Sequence, residues 1–449
     1  MDLLARLTRA GVVGAGGAGF PTAKKIDCKA KYLLVNGAEC EPLLETDRYL
    51  MRNRAADIIN GVVAVKNHIG AEYAGIVLKK TYIAEIQSLQ QAITANNAPI
   101  ELHLMDSFYP AGDEQIMVCE ALGKIVPPSG IPIQVETVVN NVCTMAWVSD
   151  AMNNRPVTSK LVTITGEVQN PCIVETPIGT RLGECLKAAG GCVASDVYVI
   201  VGGPMMGRYM SMEEAERQVV TKTTGGVIVV PAKSITVIKK HLSYEQIITR
   251  AKSVCIQCAR CTEQCPRHLI GHPIHPHKLM RSVAYNKNMN LELLQEALLC
   301  SECGVCENYA CPMDLSPRRI NVLIKEALRK KGVRYQRVNS EIVESLYRSY
   351  RQLPTGRLTS RLGFSAYKVR NNRTLVPMSP TTVSIPLQQH IGSPAEPIVK
   401  EGERVVCGQT IASIAEGSLG ADIHASISGI VTSIGDAVTI KQEGGVKND

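Results

Sequence analysis

The sequence predicts a multidomain protein of mixed α/β and α+β class, and three observations support this prediction. The chain has 449 residues, which is too long for one hydrophobic core and corresponds to three or four domains of ordinary size. Apolar residues make up 45% and charged residues 20%, a composition typical of globular chains. The apolar pattern changes several times along the chain, and each change marks a candidate domain boundary.

Residues 1–150 alternate strand-like and helical stretches, which indicates an α/β unit. KYLLVNGAE and YAGIVLKK favour buried strands, whereas RAADIINGVVAVKNHI and the polar stretch through Ala95 favour helices. Gly14 to Gly19 spell G-x-G-x-x-G, but a dinucleotide-binding Rossmann turn must follow a strand and open a helix. Because LLARLTRAG before it favours a helix and Pro21 follows directly, we reject that site. The uncrowded loop can still offer N–H groups to a phosphate.

The rest of the chain divides into four segments. Residues 157–232 contain the strand-like runs LVTITGEV, VYVIVGG and GGVIVVPA around one predicted helix, RLGECLKAAGG. Residues 243–335 are helical and rich in Cys, and residues 336–375 form a basic linker with Pro and Gly. Residues 376–446 carry short strands between Gly and Pro turns and predict a compact β domain.

Eight of the sixteen cysteines lie in two runs that are typical of iron–sulfur proteins. The first run has the spacing C-x2-C-x2-C-x3-C-P, and the second is a close variant of it that also ends in Cys-Pro. In two-cluster ferredoxins the fourth Cys of such a run ligates the other cluster. The spacing therefore predicts two 4Fe–4S clusters, one on Cys255, Cys258, Cys261 and Cys311 and the other on Cys265, Cys300, Cys303 and Cys306.

Two features of this segment leave alternatives open. Four residues rather than three separate Cys306 from Cys311, which departs from the usual spacing. C-x2-C pairs also occur in zinc knuckles, although two runs that end in Pro fit zinc poorly. Four histidines between the runs could ligate a metal or a cobalt ion, but a solvated loop is the favoured interpretation. They are His268, His272, His275 and His277.

The other cysteines and the chain's apolar pattern bear on the compartment. The N-terminus lacks the apolar region and cleavage site of a secretory signal, so we expect a cytoplasmic protein without a disulfide framework. No uninterrupted apolar stretch approaches eighteen residues, so we expect no transmembrane segment. The scattered cysteines are expected to be small buried hydrophobic residues. They are Cys28, Cys40, Cys119, Cys143, Cys172, Cys185, Cys192 and Cys407.

The formal net charge of +8 is unevenly distributed. Residues 318–373 contain fifteen Lys and Arg against three Glu, a local charge of +12, which leaves −4 for the rest of the chain. This segment could dock an acidic electron-transfer partner or a phosphate-bearing ligand, although a solvated helix pair and linker is the favoured interpretation. No DNA- or RNA-binding motif accompanies the charge, so we expect no nucleic-acid partner.

Four separated strings, GAGGAGFPTAKK, YLLVNGAECEP, FYPAGDEQ and VVNNVCT, cover about 130 residues in the order of a known family. They resemble the flavin- and NADH-binding subunit of respiratory complex I and, more closely, the C subunit of the Rnf electron-transport complex. The resemblance implies FMN as cofactor and NADH as electron donor. It implies an FMN site built from Gly16, Gly17, Gly19, Lys25, Asn36, Glu39, Gly112, Glu114, Asn140 and Asn141, with Phe20 and Glu114 nearest the nicotinamide.

The later segments extend this resemblance. TGEVQNPCIVETPIGTRLGECLKAAGG resembles the soluble-ligand-binding β-grasp (SLBB) module, and IPLQQHIGSPAEPIVKEGERVVCGQ resembles the barrel-sandwich hybrid domain related to lipoyl carriers. The implied order is an FMN-binding α/β domain, the β-grasp module, a helical two-cluster ferredoxin-like segment and a barrel-sandwich β domain. In Rnf subunits the barrel-sandwich domain precedes the flavin domain, whereas here it ends the chain. This order resembles that of the cobalamin reductases of propanediol-utilisation microcompartments.

That resemblance implies electron flow from NADH through FMN and 4Fe–4S to the cobalt of cobalamin, supporting adenosylcobalamin regeneration for 1,2-propanediol degradation. It also implies a cobalamin adenosyltransferase and shell or cargo proteins as partners, within a bacterial microcompartment. The corrinoid-binding string D-x-H-x-x-G is missing, since Gly429 comes two residues too late after Asp422-Ile-His424. Two alternatives remain: an Rnf-like subunit that serves membrane or ferredoxin partners, and a non-enzymatic scaffold with structural clusters.

Overall fold

The computed structural model describes residues 2–285, 290–336, 342–367 and 373–443. Within these ranges the chain forms one parallel α/β sheet, one mixed six-stranded sheet, a helical segment and a C-terminal pair of antiparallel sheets. The predicted mixed class is therefore confirmed. No helix in the described ranges is long and apolar enough to cross a membrane.

The N-terminal unit is a four-stranded parallel sheet in the order β3-β2-β1-β5, with helices packed around it. Its strands are β1 Tyr32–Asn36, β2 Tyr73–Lys79, β3 Glu101–Met105, the short β4 Phe108–Tyr109 and β5 Thr137–Asn141. Its helices are α1 Leu3–Arg9, α2 Thr22–Lys25, α3 Thr46–Asn53, α4 Ala55–Ile69, α5 Ile83–Ala95, α6 Glu114–Leu122 and α7 Val142–Met152, with a 3-10 turn at Pro132–Val135. Since a helix precedes the glycine loop, the rejection of a Rossmann turn is confirmed. Parallel strands place their carboxyl ends on one edge, where ligands bind in such sheets.

The second unit has one more helix than the sequence predicted. Its strands are β6 Ser159–Gly166, β7 Cys172–Pro177, β8 Val197–Val201, β9 Arg208–Ser211 and β10 Gly226–Pro231. The predicted helix is α8 Leu182–Ala188, and the additional one is α9 Met212–Arg217. Ser211 caps α9 in a capping box with Glu214, a signal that is visible in the sequence as S-x-x-E.

The Cys-rich segment is helical, as predicted. Its helices are α10 Ile235–His241, α11 Tyr244–Val254, α12 Arg260–Glu263, α13 Pro266–Leu269, α14 Pro276–Tyr285, α15 Leu291–Gln295 and α16 Pro317–Lys330. A 3-10 turn at Glu296–Leu299 precedes the second cysteine run, and a π-helical turn at Cys306–Ala310 lies within it. Helices α11, α14 and α16 pack around a shared core that includes Ile247, Leu279 and Ile320.

The basic segment connects several parts of the molecule rather than standing in solvent. It contains α17 Arg348–Arg351, β11 Leu353–Pro354, α18 Thr355–Arg361, a 3-10 turn at Ser365–Tyr367 and β12 Leu375–Pro377. Strand β11 pairs with β4, and β12 pairs with β7 as the sixth strand of the second sheet. Residues 337–341 and 368–372 of the predicted linker lie outside the described residues.

Many of its cations form ion pairs with acidic residues. The pairs are Arg318–Glu307, Lys325–Glu302, Arg348–Glu120, Arg351–Glu263, Arg361–Asp314 and Arg373–Glu45. The interpretation of this segment as a solvated helix pair and linker is therefore wrong for these residues. Carboxylates outside residues 318–373 thus pair with six of the fifteen cations, which offsets half of the local charge of +12.

The C-terminal β unit packs directly on the start of the chain. Its strands are β13 Thr382–Pro386, β14 Glu396–Pro397, β15 Arg404–Val405, β16 Thr410–Ser413, β17 Ile423–His424, β18 Gly429–Ile434 and β19 Ala437–Lys441. They form two sheets, ordered β13-β19-β18-β15 and β14-β16-β17. Buried residues such as Val405 and Ile423 belong to the same hydrophobic cluster as Leu7 and Val12. The two ends of the chain thus share one core.

Gly61 is expected to be essential for the packing of α4 against α7. A Cβ atom at this position would lie 2.0 Å from the carbonyl oxygen of Met145. Gly61→Ala should therefore lower the free energy of unfolding by about 1–3 kcal/mol, measured by urea denaturation. Gly356→Ala in α18 is the matched control, because its Cβ would meet nothing within 4 Å. Equal loss of stability in both variants would contradict this account of the interface.

Candidate functional site

The loop after β1 forms one wall of the candidate site, at the carboxyl edge of the parallel sheet. The Lys79 ammonium donates to the carbonyl of Glu39 at 3.2 Å, and the Tyr82 hydroxyl donates to the carbonyl of Ala38 at 3.0 Å. The Arg48 guanidinium lies 4.3 Å from the centre of the Tyr82 ring. These buried contacts hold the loop backbone in a single position.

The glycine loop forms a second wall and presents open backbone. The Gly14 N–H donates to the carbonyl of Phe20 at 2.9 Å, and Val13 forms an isolated antiparallel β-bridge with Pro21. These contacts close the loop at its base. A Cβ atom on Gly16 or Gly17 would meet nothing within 4 Å. Gly17 and Gly19 have φ values of +65° and +70°, which favour glycine strongly. The loop therefore exposes backbone that a phosphate could approach closely.

Two residues that sequence reasoning missed hold this loop in place. The Ala15 N–H donates to the Thr144 hydroxyl at 3.0 Å, and the buried Lys160 ammonium donates to the Ala15 carbonyl at 3.3 Å. Lys160 also lies 4.6 Å from the Trp147 ring. Thr144 ends the string VVNNVCT and could have been found there, whereas nothing near Lys160 in the sequence marks it.

The structure brings several of the predicted flavin residues together. The Lys25 ammonium and the Glu114 carboxylate form an ion pair at 2.6 Å, which joins the first and third strings. The Asn36 amide donates to the carbonyl of Gly112 at 3.1 Å, which joins the second and third strings. Gly112 must be small, since its Cβ would lie 2.9 Å from the Asn36 amide nitrogen. Three of the four strings therefore meet through side-chain contacts.

The fourth string lies at the same edge of the sheet. Asn141 caps α7 and donates to the Asp47 carboxylate at 2.7 Å. Asn140 is buried, and its side-chain N–H2 group has no partner among the described residues. A buried amide without a partner is costly in a folded protein, and a bound polar ligand would satisfy it. Phe20, predicted near the nicotinamide, is 38% exposed at the base of the glycine loop.

Buried carboxylates give this edge an unusual protonation state. Burial raises the pKa of Glu39 to about 8, and the neighbouring Asp47 carboxylate adds to the rise. Burial also raises the pKa of Asp47. Glu41, which the sequence analysis did not single out, accepts N–H bonds from Met205 and Met206 at 2.9 Å each, and burial raises its pKa to about 7. Burial thus favours the neutral form of these carboxyl groups.

A cavity of about 450 Å³ lies between the loop after β1 and α18. Its wall combines the carboxyl groups of Glu39 and Glu41 with the cations of Arg48 and Lys79, and Tyr82 adds a ring. Hydroxyl groups of α18 and its neighbours complete it, from Ser107, Thr355, Thr359 and Ser360. Its volume is in the range of ordinary small-molecule sites. Of the predicted flavin residues, Glu39 lines this cavity, whereas the glycine loop, Lys25 and Asn140 are not part of its lining. The open glycine loop, the Lys25 ammonium and the unpartnered Asn140 amide fit a phosphate-bearing ligand such as FMN.

The eight clustered cysteines fall into two groups in space. Burial and the neighbouring thiols of Cys311, Cys258 and Cys255 raise the pKa of Cys261 to about 12. Burial first, and then the thiols of Cys265 and Cys300, raise the pKa of Cys303 to about 12. Cys306 is buried beside Cys300 and Cys303. The last Cys of each run therefore lies with the other run, the crossover that the spacing predicts.

The longer spacing before Cys311 has a structural explanation. Residues Cys306–Ala310 form a π-helical turn, and the N–H of Cys311 donates to the carbonyl of Cys306 at 3.1 Å. A π turn accommodates one residue more than an α turn, so the extra residue does not displace Cys311. The buried ion pair of Glu307 with Arg318, at 2.8 Å, fixes the turn.

Among the described residues, no group of three or more Cys, His, Asp or Glu is close enough to hold a single metal ion.

The second cysteine group lies against the flavin-side strings. The Tyr109 hydroxyl donates to the carbonyl of Cys303 at 2.8 Å, and Tyr109 belongs to the string FYPAGDEQ. Both residues are buried. The first group lies nearer the surface, because Cys258 is exposed. The two groups are thus arranged in sequence, from the sheet edge outward to the surface.

The four histidines between the runs are tied to the protein. The His272 ring contacts the carbonyl of Val126 at 2.8 Å, the His275 ring contacts the Glu296 carboxylate at 3.0 Å, and the His277 ring contacts the Thr262 hydroxyl at 2.7 Å. Burial lowers the pKa values of His268, His272 and His277. The expectation of a solvated loop is therefore wrong.

The scattered cysteines differ in exposure. The expectation of buried hydrophobic residues is confirmed for Cys119, Cys143, Cys172 and Cys185. Cys28, Cys40 and Cys192 are half-buried, and burial raises their pKa values. The expectation is wrong for Cys407, which is exposed and donates to the carbonyl of Ser426 at 3.4 Å.

Four family models match consecutive parts of the chain. Residues 7–150 match the Nuo51 FMN-binding domain, and residues 161–209 match the SLBB domain. Residues 254–316 match a 4Fe–4S dicluster domain, and residues 368–448 match the RnfC barrel sandwich hybrid domain. These matches support the domain types that the resemblance implied.

Two curated proteins match over nearly the whole length of the chain, and others match over part of it. Cobalamin reductase PduS of Citrobacter freundii is 42% identical over 433 residues, covering 96% of this chain and 94% of the relative. Cobalamin reductase PduS of Salmonella typhimurium is 41% identical over 444 residues, covering 98% and 96%. The C subunit of the Na(+)-translocating ferredoxin:NAD(+) oxidoreductase complex of Acetobacterium woodii is 31% identical over 266 residues, covering 58% and 56%.

Lys160 is expected to support ligand binding through the glycine loop, because its ammonium donates to the Ala15 carbonyl. Lys160→Met keeps the side-chain length but removes this donor. We expect FMN to bind about 10- to 100-fold more weakly to the variant apoprotein, measured by quenching of FMN fluorescence. Lys124→Met is the control, since the Lys124 ammonium also lies over an aromatic ring, that of Tyr32, but makes no contact with the glycine loop, which lies wholly within the described residues. Unchanged FMN affinity in Lys160→Met would contradict this role.

Proposed function

The chain belongs to the family of the cobalamin reductases PduS, and we propose that it is an NADH-dependent reductase that passes electrons to the cobalt of cobalamin. Identity of 42% over 96% of the chain supports this assignment. The main structural support for this mechanism is the buried hydrogen bond from the Tyr109 hydroxyl to the Cys303 carbonyl. This bond holds the second cysteine group against the edge of the sheet where the flavin is proposed to bind. Without such proximity, single electrons could not pass from one centre to the other.

The proposed cofactors are one FMN and two 4Fe–4S clusters. When bound, FMN accepts a hydride from NADH and releases single electrons, and the clusters carry them onward. Gly16, Gly17, Gly19 and Lys25 would hold the phosphate side of FMN, and Asn36, Glu39, Gly112, Glu114, Asn140 and Asn141 would complete its site. Phe20 and Glu114 would lie nearest the nicotinamide. The clusters would be held by Cys255, Cys258, Cys261 and Cys311 and by Cys265, Cys300, Cys303 and Cys306.

The acceptor is proposed to bind transiently rather than through a cobalt ligand from this chain. The nearest approach to a corrinoid string contains His424, which is buried in β17. The Lys222 ammonium donates to the backbone carbonyl of the neighbouring Asp422 at 3.1 Å. It also donates to the backbone carbonyl of Gly11 at 2.7 Å. These residues join domains and are not available to a corrinoid. Electron transfer therefore takes place without a bond between cobalt and the protein.

In the cell, this activity would support regeneration of adenosylcobalamin during 1,2-propanediol degradation. A cobalamin adenosyltransferase would take up the reduced cobalamin, and shell or cargo proteins would keep the enzyme within a bacterial microcompartment. The family assignment supports these partners and this location. They are tested by co-purification from cells that form such compartments.

An alternative function is that of an Rnf-like subunit that delivers electrons to membrane or ferredoxin partners. The similarity to the C subunit of the Acetobacterium woodii complex favours it over part of the chain. That similarity covers 58% of this chain, compared with 96% for the first PduS relative. Co-purification with integral membrane subunits would favour this alternative over a cobalamin reductase.

The holoprotein is expected to reduce cobalamin with a fixed stoichiometry. NADH gives up two electrons and a proton and becomes NAD+, whereas each step from Co(III) to Co(II), or from Co(II) to Co(I), takes up one electron. Anaerobic assays that follow NADH and cobalamin absorbance together should therefore show two one-electron cobalt reductions per NADH oxidised. Reduction of the flavin without any change in cobalamin would contradict the substrate assignment and leave an electron carrier of another kind.

The Cys303→Ser variant tests separately the transfer of electrons from NADH to FMN and their transfer through the clusters to cobalamin. The variant should still bind FMN and oxidise NADH with ferricyanide, a small acceptor, but it should lose about half of the iron and most cobalamin reduction. Cys172→Ser is the matched control, because Cys172 is a buried cysteine in β7 of the β-grasp sheet. Full cobalamin reduction by Cys303→Ser would show that this cysteine group lies off the pathway.

A further inference from the structure

One face of the Cys-rich segment combines an exposed cluster cysteine with unpaired positive charge. Of the eight cysteines in the two runs, Cys258 is the exposed one. Ile256, two residues before it, is 62% exposed, and Arg260, two residues after it, is exposed as well. The electron pathway proposed above therefore reaches the surface here.

Helix α14 lies alongside this loop and extends the face. The Tyr285 hydroxyl donates to the carbonyl of Lys252 at 3.2 Å, whereas the ring of His277 contacts Thr262 at 2.7 Å. The loop from residue 252 to residue 262 therefore runs the length of α14, from its last turn to its first. Lys278, Arg281 and Tyr285 are exposed and follow the i, i+3, i+7 spacing of one helix face.

The charge on this face is positive. Lys252, Arg260, Lys278 and Arg281 are exposed and form no ion pair with any described residue. Glu263, the nearby exposed carboxylate, is neutralised by Arg351 at 2.9 Å. Six cations of residues 318–373 form ion pairs with described residues, whereas none of these four does. We call residues 252–260 together with the exposed side of α14 the Cys258 face, which carries these four cations and the exposed Cys258.

We propose that the Cys258 face docks an acidic redox protein, which takes single electrons from the cluster held by Cys255, Cys258, Cys261 and Cys311. The inference rests on the proposed function, because it needs a cluster at these cysteines. Four unpaired cations steer an acidic partner toward the exposed cysteine, and Ile256 and Tyr285 supply a small apolar centre. Small, charge-steered contacts are typical of transient electron-transfer complexes. The single electron given up by a cluster held at these cysteines would be the electron that reduces the partner, so that the transfer would make or break no bond.

Oxidised flavodoxin, a small acidic one-electron carrier, is the probe for this face. Its affinity for the oxidised holoprotein is measured by isothermal titration calorimetry at about 10 mM and about 500 mM salt. The double variant Arg260→Glu/Lys278→Glu should bind at least about tenfold more weakly than the unaltered protein at low salt, and the difference should vanish at high salt. Cytochrome c, which is basic, should not bind the unaltered protein.

Lys187→Glu/Lys233→Glu is the matched control, with the same change of charge at two exposed lysines outside the Cys-rich segment. It should bind flavodoxin as the unaltered protein does, and both double variants should keep NADH-dependent ferricyanide reduction. Equal affinity of the Arg260→Glu/Lys278→Glu variant and the control, or no binding of flavodoxin at low salt, would overturn the proposal. Because binding is measured with oxidised proteins, a lack of NADH oxidation would remove the proposed function while leaving the binding result interpretable.

Discussion

The buried hydrogen bond from the Tyr109 hydroxyl to the Cys303 carbonyl holds the second cysteine run against the N-terminal α/β unit, and these are the two redox halves of the protein. The surrounding contacts reinforce it, because Glu41 accepts N–H bonds from Met205 and Arg318 donates to the carbonyl of Met205 at 3.1 Å. A loop of the β-grasp module is therefore inserted between the sheet edge and the second cysteine run. The module orients the two halves, and a shift of this loop would change the distance that an electron must cross.

The C-terminal β unit packs on the first residues of the chain. The N–H of Asp422 donates to the carbonyl of Thr8 at 3.1 Å, and the N–H of Ile391 donates to the carbonyl of Ala18 at 3.1 Å. The buried Lys222 ammonium adds a third connection at Gly11. Because the C-terminal β unit rests on residues 8–18, the same packing is available whether that unit begins or ends a chain. The different order in Rnf proteins is thus compatible with one arrangement in space.

Local patterns predicted much of this structure, and contacts between distant segments account for most of the rest. The strands, the helix before the glycine loop and the crossover of the two cysteine groups follow from periodicity and spacing. Lys160 and Glu41 could not be predicted, since their roles depend on partners 145 and 164 residues away. The basic segment was misjudged for the same reason. Its carboxylate partners, such as Glu45 and Glu120, lie in the N-terminal unit.

Native mass spectrometry of the anaerobically purified protein tests the central claim most directly. If the eight cysteines hold two clusters beside a flavin, the mass should exceed that of the 449-residue chain by one FMN, eight iron atoms and eight sulfides. A mass excess that corresponds to zinc ions, or to clusters without FMN, would contradict the account at the site on which it depends.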